Sequence, residues 1–233
     1  MNFKTIILAG VLSSVALVAL ADETNNKDYY VQLNAGASFG QKPKGDFLKG
    51  NLGTSSLYGF AVGYKFHEHF RADLSLDYRP GYKNSYNENK KIEDINFDYT
   101  HNIKVKSLVS MVSFYYDIAT INNFTPYITS GFGFARNKTN NYVMTANSSE
   151  SDPANATVYS KGTKTDFAWK VGLGSKYAMN RNFDLDLRYQ YADLGKFETG
   201  GTSSYNGEAH ESAAPLKGKI KSHEVLLGVA YKF

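Results

Sequence analysis

Asp184 and Asp186 stand two residues apart in an alternating stretch. Both carboxylates would share one strand face about 7 Å apart, a spacing at which paired acids can act as general acid and base. His67 and His69 flank Glu68, and imidazoles at i and i+2 on one strand face can hold a metal, although no third ligand lies near them in the sequence. His210 and Ser212, with Glu224 further on, supply the residue types of a serine hydrolase: a base that reaches a hydroxyl, and a carboxylate that orients the base. Asn123, Asn137, Asn147 and Asn155 each open an Asn-x-Ser/Thr triplet, which accepts a sugar only in a compartment that holds the enzyme for it. Lys217, Lys219 and Lys221 form a concentrated basic feature, suited to acidic, sulfated or phosphorylated partners.

What these side chains can do depends on the elements that carry them, and the chain alternates with period two in eight segments. The first sets Tyr29, Val31, Leu33, Ala35, Ala37 and Phe39 against Tyr30, Gln32, Asn34, Gly36 and Ser38. The second sets Tyr58, Phe60, Val62, Tyr64 and Phe66 against Gly59, Ala61, Gly63 and Lys65, and the third Phe70, Ala72, Leu74, Leu76 and Tyr78 against Arg71, Asp73, Ser75, Asp77 and Arg79. In the fourth, from Lys104 to Asp117, Leu108, Val112, Phe114 and Tyr116 compete with Val109, Met111 and Tyr115 for the apolar phase, and the even set is favoured. The fifth and sixth alternate around Ile128, Phe132 and Phe134, and around Phe167, Trp169, Val171, Leu173 and Tyr177, with Lys170 and Lys176 on the sixth segment's other face. The seventh opposes Phe183, Leu185, Leu187, Tyr189 and Tyr191 to Asp184, Asp186, Arg188 and Gln190. The eighth opposes Val225, Leu227, Val229, Tyr231 and Phe233 to Glu224, Leu226, Gly228, Ala230 and Lys232.

Volume decides which face is inside. An eight-stranded barrel has an interior just wide enough for side chains to fill, and around forty large apolar residues cannot enter it. The small and ionisable face can, which leaves the aromatic and aliphatic face against lipid. The expected fold is therefore all-β, an eight-stranded antiparallel up-and-down transmembrane barrel. Residues 1–21 read as a cleaved signal peptide, with Lys4 in a basic start, an apolar run from Ile6 to Leu20 and Ala19 and Ala21 at the cleavage site; residues 22–233 would be the barrel. Loss of that leader takes one of 26 basic side chains and none of the 22 acidic ones, a mild excess that argues against nucleic acid as a partner. The chain has no Cys, which excludes a disulfide, a thiolate metal site and c-type haem attachment.

Connections after the odd segments run to roughly 17–26 residues and those after the even segments to about three to seven. Short turns at His67 to His69, Ala119 to Phe124 and Met179 to Asn182 would face the periplasm, and four long connections the outside. Asn137 to Gly162 and Gly195 to Gly218 are rich in Asn, Ser, Lys and Gly and read as polar loops, mobile when unbound, that carry function.

The closing Val225, Leu227, Val229, Tyr231 and Phe233 resembles the last strand of Gram-negative outer-membrane barrels, which implies that Tyr231 and Phe233 signal to the barrel-assembly machinery. The segments YYVQLNAGASFG, KPKGDF, GYKFHEHFRADLSLDY, TDFAWKVGLGSKY, YADLGKF and HEVLLGVAYKF resemble small surface proteins of the OmpA-barrel and opacity-protein kind, and rickettsial surface adhesins above all. The resemblance implies a non-enzymatic adhesin, without cofactor or metal, that attaches to host cells and binds serum proteins such as vitronectin. The alternative is a structural barrel that supports the envelope.

On this barrel the candidate chemistries change meaning. Arg71, Asp73, Asp77, Lys170, Lys176, Asp184, Asp186, Arg188 and Glu224 share the inward phase and read as a plug of salt bridges that fills the lumen. His210, Ser212 and Glu224 resemble the His-x-Ser pair and distant Glu of outer-membrane lipid A deacylases. Here, however, the first two would lie in a loop and Glu224 in the lumen. Lys161, Lys164, Lys217, Lys219 and Lys221 are the candidate ligand-binding residues of the long loops. The last three would equally meet lipopolysaccharide phosphates at the membrane rim, the favoured reading for that triplet.

Overall fold

The computed structural model of the protein describes residues 28–43, 50–92, 95–148, 151–210 and 214–233; the leader expected over residues 1–21 lies outside them. Their strands are β1 (Tyr29–Gly40), β2 (Gly53–His67), β3 (Phe70–Ile92), β4 (Ile95–Asp117), β5 (Phe124–Thr139), β6 (Tyr142–Ser148), β7 (Ser151–Tyr159), β8 (Gly162–Ala178), β9 (Phe183–Glu198), β10 (Ser203–Tyr205), β11 (Glu208–His210) and β12 (Lys217–Lys232). No helix among the described residues is long and apolar enough to cross a membrane.

Eight strands close into a ring. β1 pairs with β2 on one side and with β12 on the other, and the circuit runs through β2–β3, β3–β4, β4–β5, β5–β8, β8–β9 and β9–β12, all antiparallel. Closure gives every barrel strand a partner along both edges, so the ladder is satisfied without water.

The alternation read from sequence sets the two faces. Arg71, Asp73, Ser75 and Asp77 are buried inside, while Leu74 between them is 60% exposed on the outer wall. On β4 the even set points out: Val112, Phe114 and Tyr116 are exposed, and Val109, Met111 and Tyr115 are buried in the interior. Small interior residues let neighbouring strands close up. A Cβ on Gly133 would stand 2.0 Å from the Ser110 carbonyl oxygen of β4.

An aromatic girdle marks the short-turn end, with ring centroids 4.7 Å apart for Tyr29 and Tyr64, 5.2 Å for Phe70 and Tyr116, and 4.8 Å for Phe124 and Tyr177. Phe134 with Phe167 and Trp169 with Tyr191 stand on the same wall nearer the other end. At the short end, Asn122 and Asn123 adopt positive φ of 47° and 72° and turn β4 into β5, the conformation a two-residue hairpin demands and Asn tolerates.

The second, third and fourth long connections carry strands where polar loops were expected. The stretch between the third and fourth segments is not a loop: β3 and β4 stay paired as far as Ile92 and Ile95. Within Asn137 to Gly162 lie the end of β5 and the hairpin β6–β7, and β10 and β11 lie within Gly195 to Gly218. A polar chain leaving a barrel rim still has donors and acceptors to pair, and it pairs them by continuing the sheet. Composition marked these stretches as solvent-facing without revealing that they are strands.

The depth of the apolar wall is testable. Leu227→Arg, at mid-height on the lipid face of β12, is expected to destabilise the barrel by about 2–4 kcal/mol in urea unfolding from lipid vesicles, and Phe39→Arg, near the outer rim, by about 0–1 kcal/mol. Equal costs would contradict this orientation.

Candidate functional site

The interior is organised in tiers. Towards the long-hairpin end, fully buried Glu224 is gripped by Arg79, whose Nε and Nη2 each donate at 2.8 Å. Gln190 Nε2 donates to the same carboxylate at 2.6 Å, Ser38 Oγ at 2.7 Å and Ser222 Oγ at 3.0 Å. A two-pronged guanidinium–carboxylate contact is the strongest neutralisation available to a carboxylate cut off from water. One tier lower, Tyr115 donates to Asp73 at 2.7 Å and accepts from Arg188 at 2.8 Å, and Tyr127 donates to Asp186 at 2.7 Å. Register puts Lys170, Gly131, Ser113 and Asp73 in one row across four strands, and buried Lys170 runs its stem over Gly131.

At the short-turn end Asp117 meets Arg71 at 3.2 Å and Lys176 at 2.7 Å, and Lys232 meets Asp184 at 2.7 Å. The Arg71 guanidinium lies 3.9 Å from the ring centre of Tyr115 and 4.6 Å from that of Tyr127, so its charge is shared between a carboxylate and two aromatic faces. Beyond it opens a cavity of about 330 Å³ lined by Lys65, Lys176, Arg181 and Lys232 with Asp28 and Asp184.

The structure thus brings Arg71, Asp73, Asp77, Lys170, Lys176, Asp184, Asp186, Arg188 and Glu224 into one lumen. Asp184 and Asp186 hold different partners and share no reaction centre. Sequence reading missed Arg79, Asp117, Gln190, Tyr115 and Tyr127 as members of this network, though the same inward phase would have found them.

It also missed an apolar cap. Above Glu224 the interior holds Leu52, Tyr82, Ile103, Val105, Leu194, Phe197 and Ile220, all buried. Two breaks of register, one between Arg79 and Tyr82 on β3 and one opposite Lys219 and Lys221 of β12, put Tyr82 and Phe197 there, whereas Ile103, Val105 and Ile220 keep the phase of their strands. At the second, Asp193, Leu194 and Gly195 form a bulge: Asp193 Oδ1 accepts from the Gly195 amide at 3.0 Å. Gly195 has φ +71°, and a Cβ there would stand 2.6 Å from Asp166 Cβ. Such a bulge shifts the alternation by one residue. A strict period-two reading therefore assigns the wrong face beyond it.

Outside the barrel a second sheet rises from β4. The upper part of β4, Phe97 to Asn102, pairs with β6, then β6 with β7, β7 with β10 and β10 with β11. An aromatic seam joins it to the β3–β4 hairpin: Tyr86 stacks on His101 at 4.3 Å, and the Tyr142 hydroxyl lies 2.5 Å from His101 Nδ1. Burial pushes the Tyr142 phenol well above its ordinary range.

The other sequence candidates are dispersed. Lys161 and Lys217 are exposed and Lys221 is half-buried, whereas Lys164 reaches Glu198 at 3.6 Å and Lys219 reaches Asp193 at 2.8 Å. His67 ends β2, and His69 lies in the turn to β3, where its Nδ1 is 2.8 Å from the Asp117 carbonyl oxygen. Ser212 lies outside the described residues.

The chain has known relatives. Residues 7–233 match the outer membrane protein beta-barrel domain family. The chain belongs to that family. The Salmonella typhimurium outer membrane protein PagN is 30% identical over 179 residues, covering 75% of this chain and 72% of its own. A candidate adhesin of Rickettsia conorii is 25% identical over 218 residues, covering 87% of this chain and 81% of its own. Among solved structures, Neisserial surface protein A aligns over 88% of this chain and 97% of its own, with 21% identity and a TM-score of 0.48. As a member of this outer-membrane family, the protein spans the bacterial outer membrane with its short turns in the periplasm and its long hairpins at the cell surface.

Breaking the clamp should cost more than removing it. Arg79→Met leaves Glu224 buried without its counter-charge and is expected to lose about 3–5 kcal/mol. Adding Glu224→Leu to Arg79→Met should recover most of that loss. Urea titrations of the four proteins in vesicles give the coupling directly, and additive losses would show that the pair does not act as a unit.

Proposed function

We propose that the protein is a non-enzymatic surface adhesin that binds host-cell or serum proteins through its extracellular hairpins. The observation that carries this reading is the outer sheet, five strands joined by backbone pairing and rooted in the barrel wall. A sheet held in this way presents side chains in fixed positions and spares a partner much of the ordering cost of a mobile loop. Among the described residues an apolar cap closes the lumen towards the surface, and beneath it Arg79 is paired with Glu224 and Arg71 with Asp117.

Tyr205 is exposed on the sheet, and aromatic side chains at such positions are favoured contact anchors. Lys161, Lys217 and Lys221 add attraction that falls with salt, and Lys164 and Lys219 add less because acids already hold them. The candidate-adhesin relative supports the reading, as does the resemblance to rickettsial adhesins, which makes vitronectin the serum protein to try first. Tyr231 and Phe233 are proposed as the signal read by the assembly machinery.

Replacing Tyr142 to Tyr159 by a two-residue turn removes β6 and β7 and leaves the barrel ring intact. The shortened protein is expected to reach the surface of intact cells, as judged by protease access to its remaining hairpins, and to lose at least about tenfold in binding to host-cell proteins or vitronectin. Undiminished binding would reject the outer sheet as the contact surface. If the full-length protein binds neither and its deletion weakens the envelope barrier, the protein is a structural barrel.

A further inference from the structure

The lipid-facing rim of β3, β4 and β5 carries four lysines without an ion-pair partner among the described residues. Register sets Lys83 directly opposite Lys104 and Lys106 directly opposite Lys138. All four point outward, since their neighbours Tyr82, Asn84, Val105, Ser107, Asn137 and Thr139 are buried inside. Directly opposed residues have Cβ atoms about 4.5–5.5 Å apart, and like charges so placed repel. None of the four ammonium groups has an ion pair or side-chain hydrogen bond with a described residue. Arg136 stands on the same face two residues below Lys138, and across the next strand that face continues as Thr165 and Thr163. Going up β4, the first outward carboxylate is Asp98, six residues or about 20 Å beyond Lys104.

The height of the cluster is specific. Lys106 lies ten residues above Tyr116 of the periplasmic girdle, about 33 Å along the strand. At a strand tilt of about 35–45° this is a rise of about 25 Å, the full height of the apolar band of an outer-membrane barrel. The ammonium groups therefore stand where the hydrocarbon of the outer leaflet gives way to its headgroups. The stem of Lys104 lies across Gly81, where a Cβ would come within 2.2 Å of Lys104 Cε; a glycine there leaves room for the long side chain. The β9–β12 side differs, because acids within the same region hold Lys219 and Lys164.

We infer that Lys83, Lys104, Lys106 and Lys138 form a binding site for the phosphorylated headgroup of an outer-leaflet glycolipid. Phosphate carries the compact, multiple negative charge that two repelling lysine pairs require. The headgroup of a lipid with its acyl chains against Phe134 and Leu108 places that charge at this height. A soluble partner docked on the outer sheet would have to turn into the bilayer to reach it. The inference is independent of the adhesin reading.

The test compares the full-length folded protein with the quadruple variant Lys83→Gln/Lys104→Gln/Lys106→Gln/Lys138→Gln, and with Lys42→Gln/Lys196→Gln as a control at exposed lysines elsewhere on the barrel. Purified proteins in neutral detergent are titrated with bisphosphorylated lipid A, with the same lipid after phosphatase treatment, and with inorganic phosphate. The expected result is that the quadruple variant and the dephosphorylated lipid each lose at least about tenfold in affinity, the control double variant keeps its affinity, and inorganic phosphate fails to compete at equal concentration. Unchanged affinity of the quadruple variant, equal binding of both lipids, or competition by phosphate as effective as by the lipid would each overturn the proposal. Urea unfolding without lipid supplies a second readout. Removal of the repulsion should raise the quadruple variant's midpoint above that of the native protein, and a lowered midpoint would mean that the lysines serve partners within the chain.

Discussion

Everything in this protein follows from the requirement that a backbone crossing lipid find its hydrogen-bond partners within itself. The pairing of β1 with β12 is where that requirement is met, because it turns seven local hairpin-type pairings into a ring without edges. The ring then dictates the sequence twice over: small or ionisable side chains inside, where volume is scarce, and aromatic or aliphatic ones outside, where the solvent is hydrocarbon. The charged interior is tolerable because its members neutralise one another, with Arg79 on Glu224, Arg71 and Lys176 on Asp117, and Lys232 on Asp184. Polar groups packed into a closed ring cost less than the same groups would on its wall.

The barrel was legible because lipid enforces a strict alternation over many residues. Arg71, Asp73 and Asp77 against Phe70, Leu74 and Tyr78 admit one assignment, and even on β4 the larger aromatic pair Phe114 and Tyr116 indicated the outer phase. What escaped notice lies beyond the points where alternation slips. At the Asp193 to Gly195 bulge, and between Arg79 and Tyr82, one residue of slippage turns Phe197 and Tyr82 into the lumen, and a reading that counts by twos puts both on the wrong face. The outer strands were hidden for a different reason. Their two faces meet water and one another rather than lipid, so no hydrophobic contrast marks their period.

The candidate chemistry divides in the same way. The inward charges were recognisable as a set because each lay on a strand with a decided phase, but their pairing depends on strands distant in sequence, as with Arg79 and Glu224, 145 residues apart. The lysines of the β3–β5 rim were passed over because Lys83 and Lys138 lie far in the chain from Lys104 and Lys106, unlike the tight run of Lys217, Lys219 and Lys221. Register alone assembles them.

One strand has a double role. β4 is 23 residues long, and its lower part is stitched to β5 within the wall while its upper part is stitched to β6 outside. Tension applied to the outer sheet therefore passes down a continuous backbone into the barrel, along the strand and at right angles to its hydrogen bonds. Loaded in shear, the bonds along β4 resist together and do not open one at a time from an end. A pull on this sheet would thus reach the barrel through the whole β4 ladder at once.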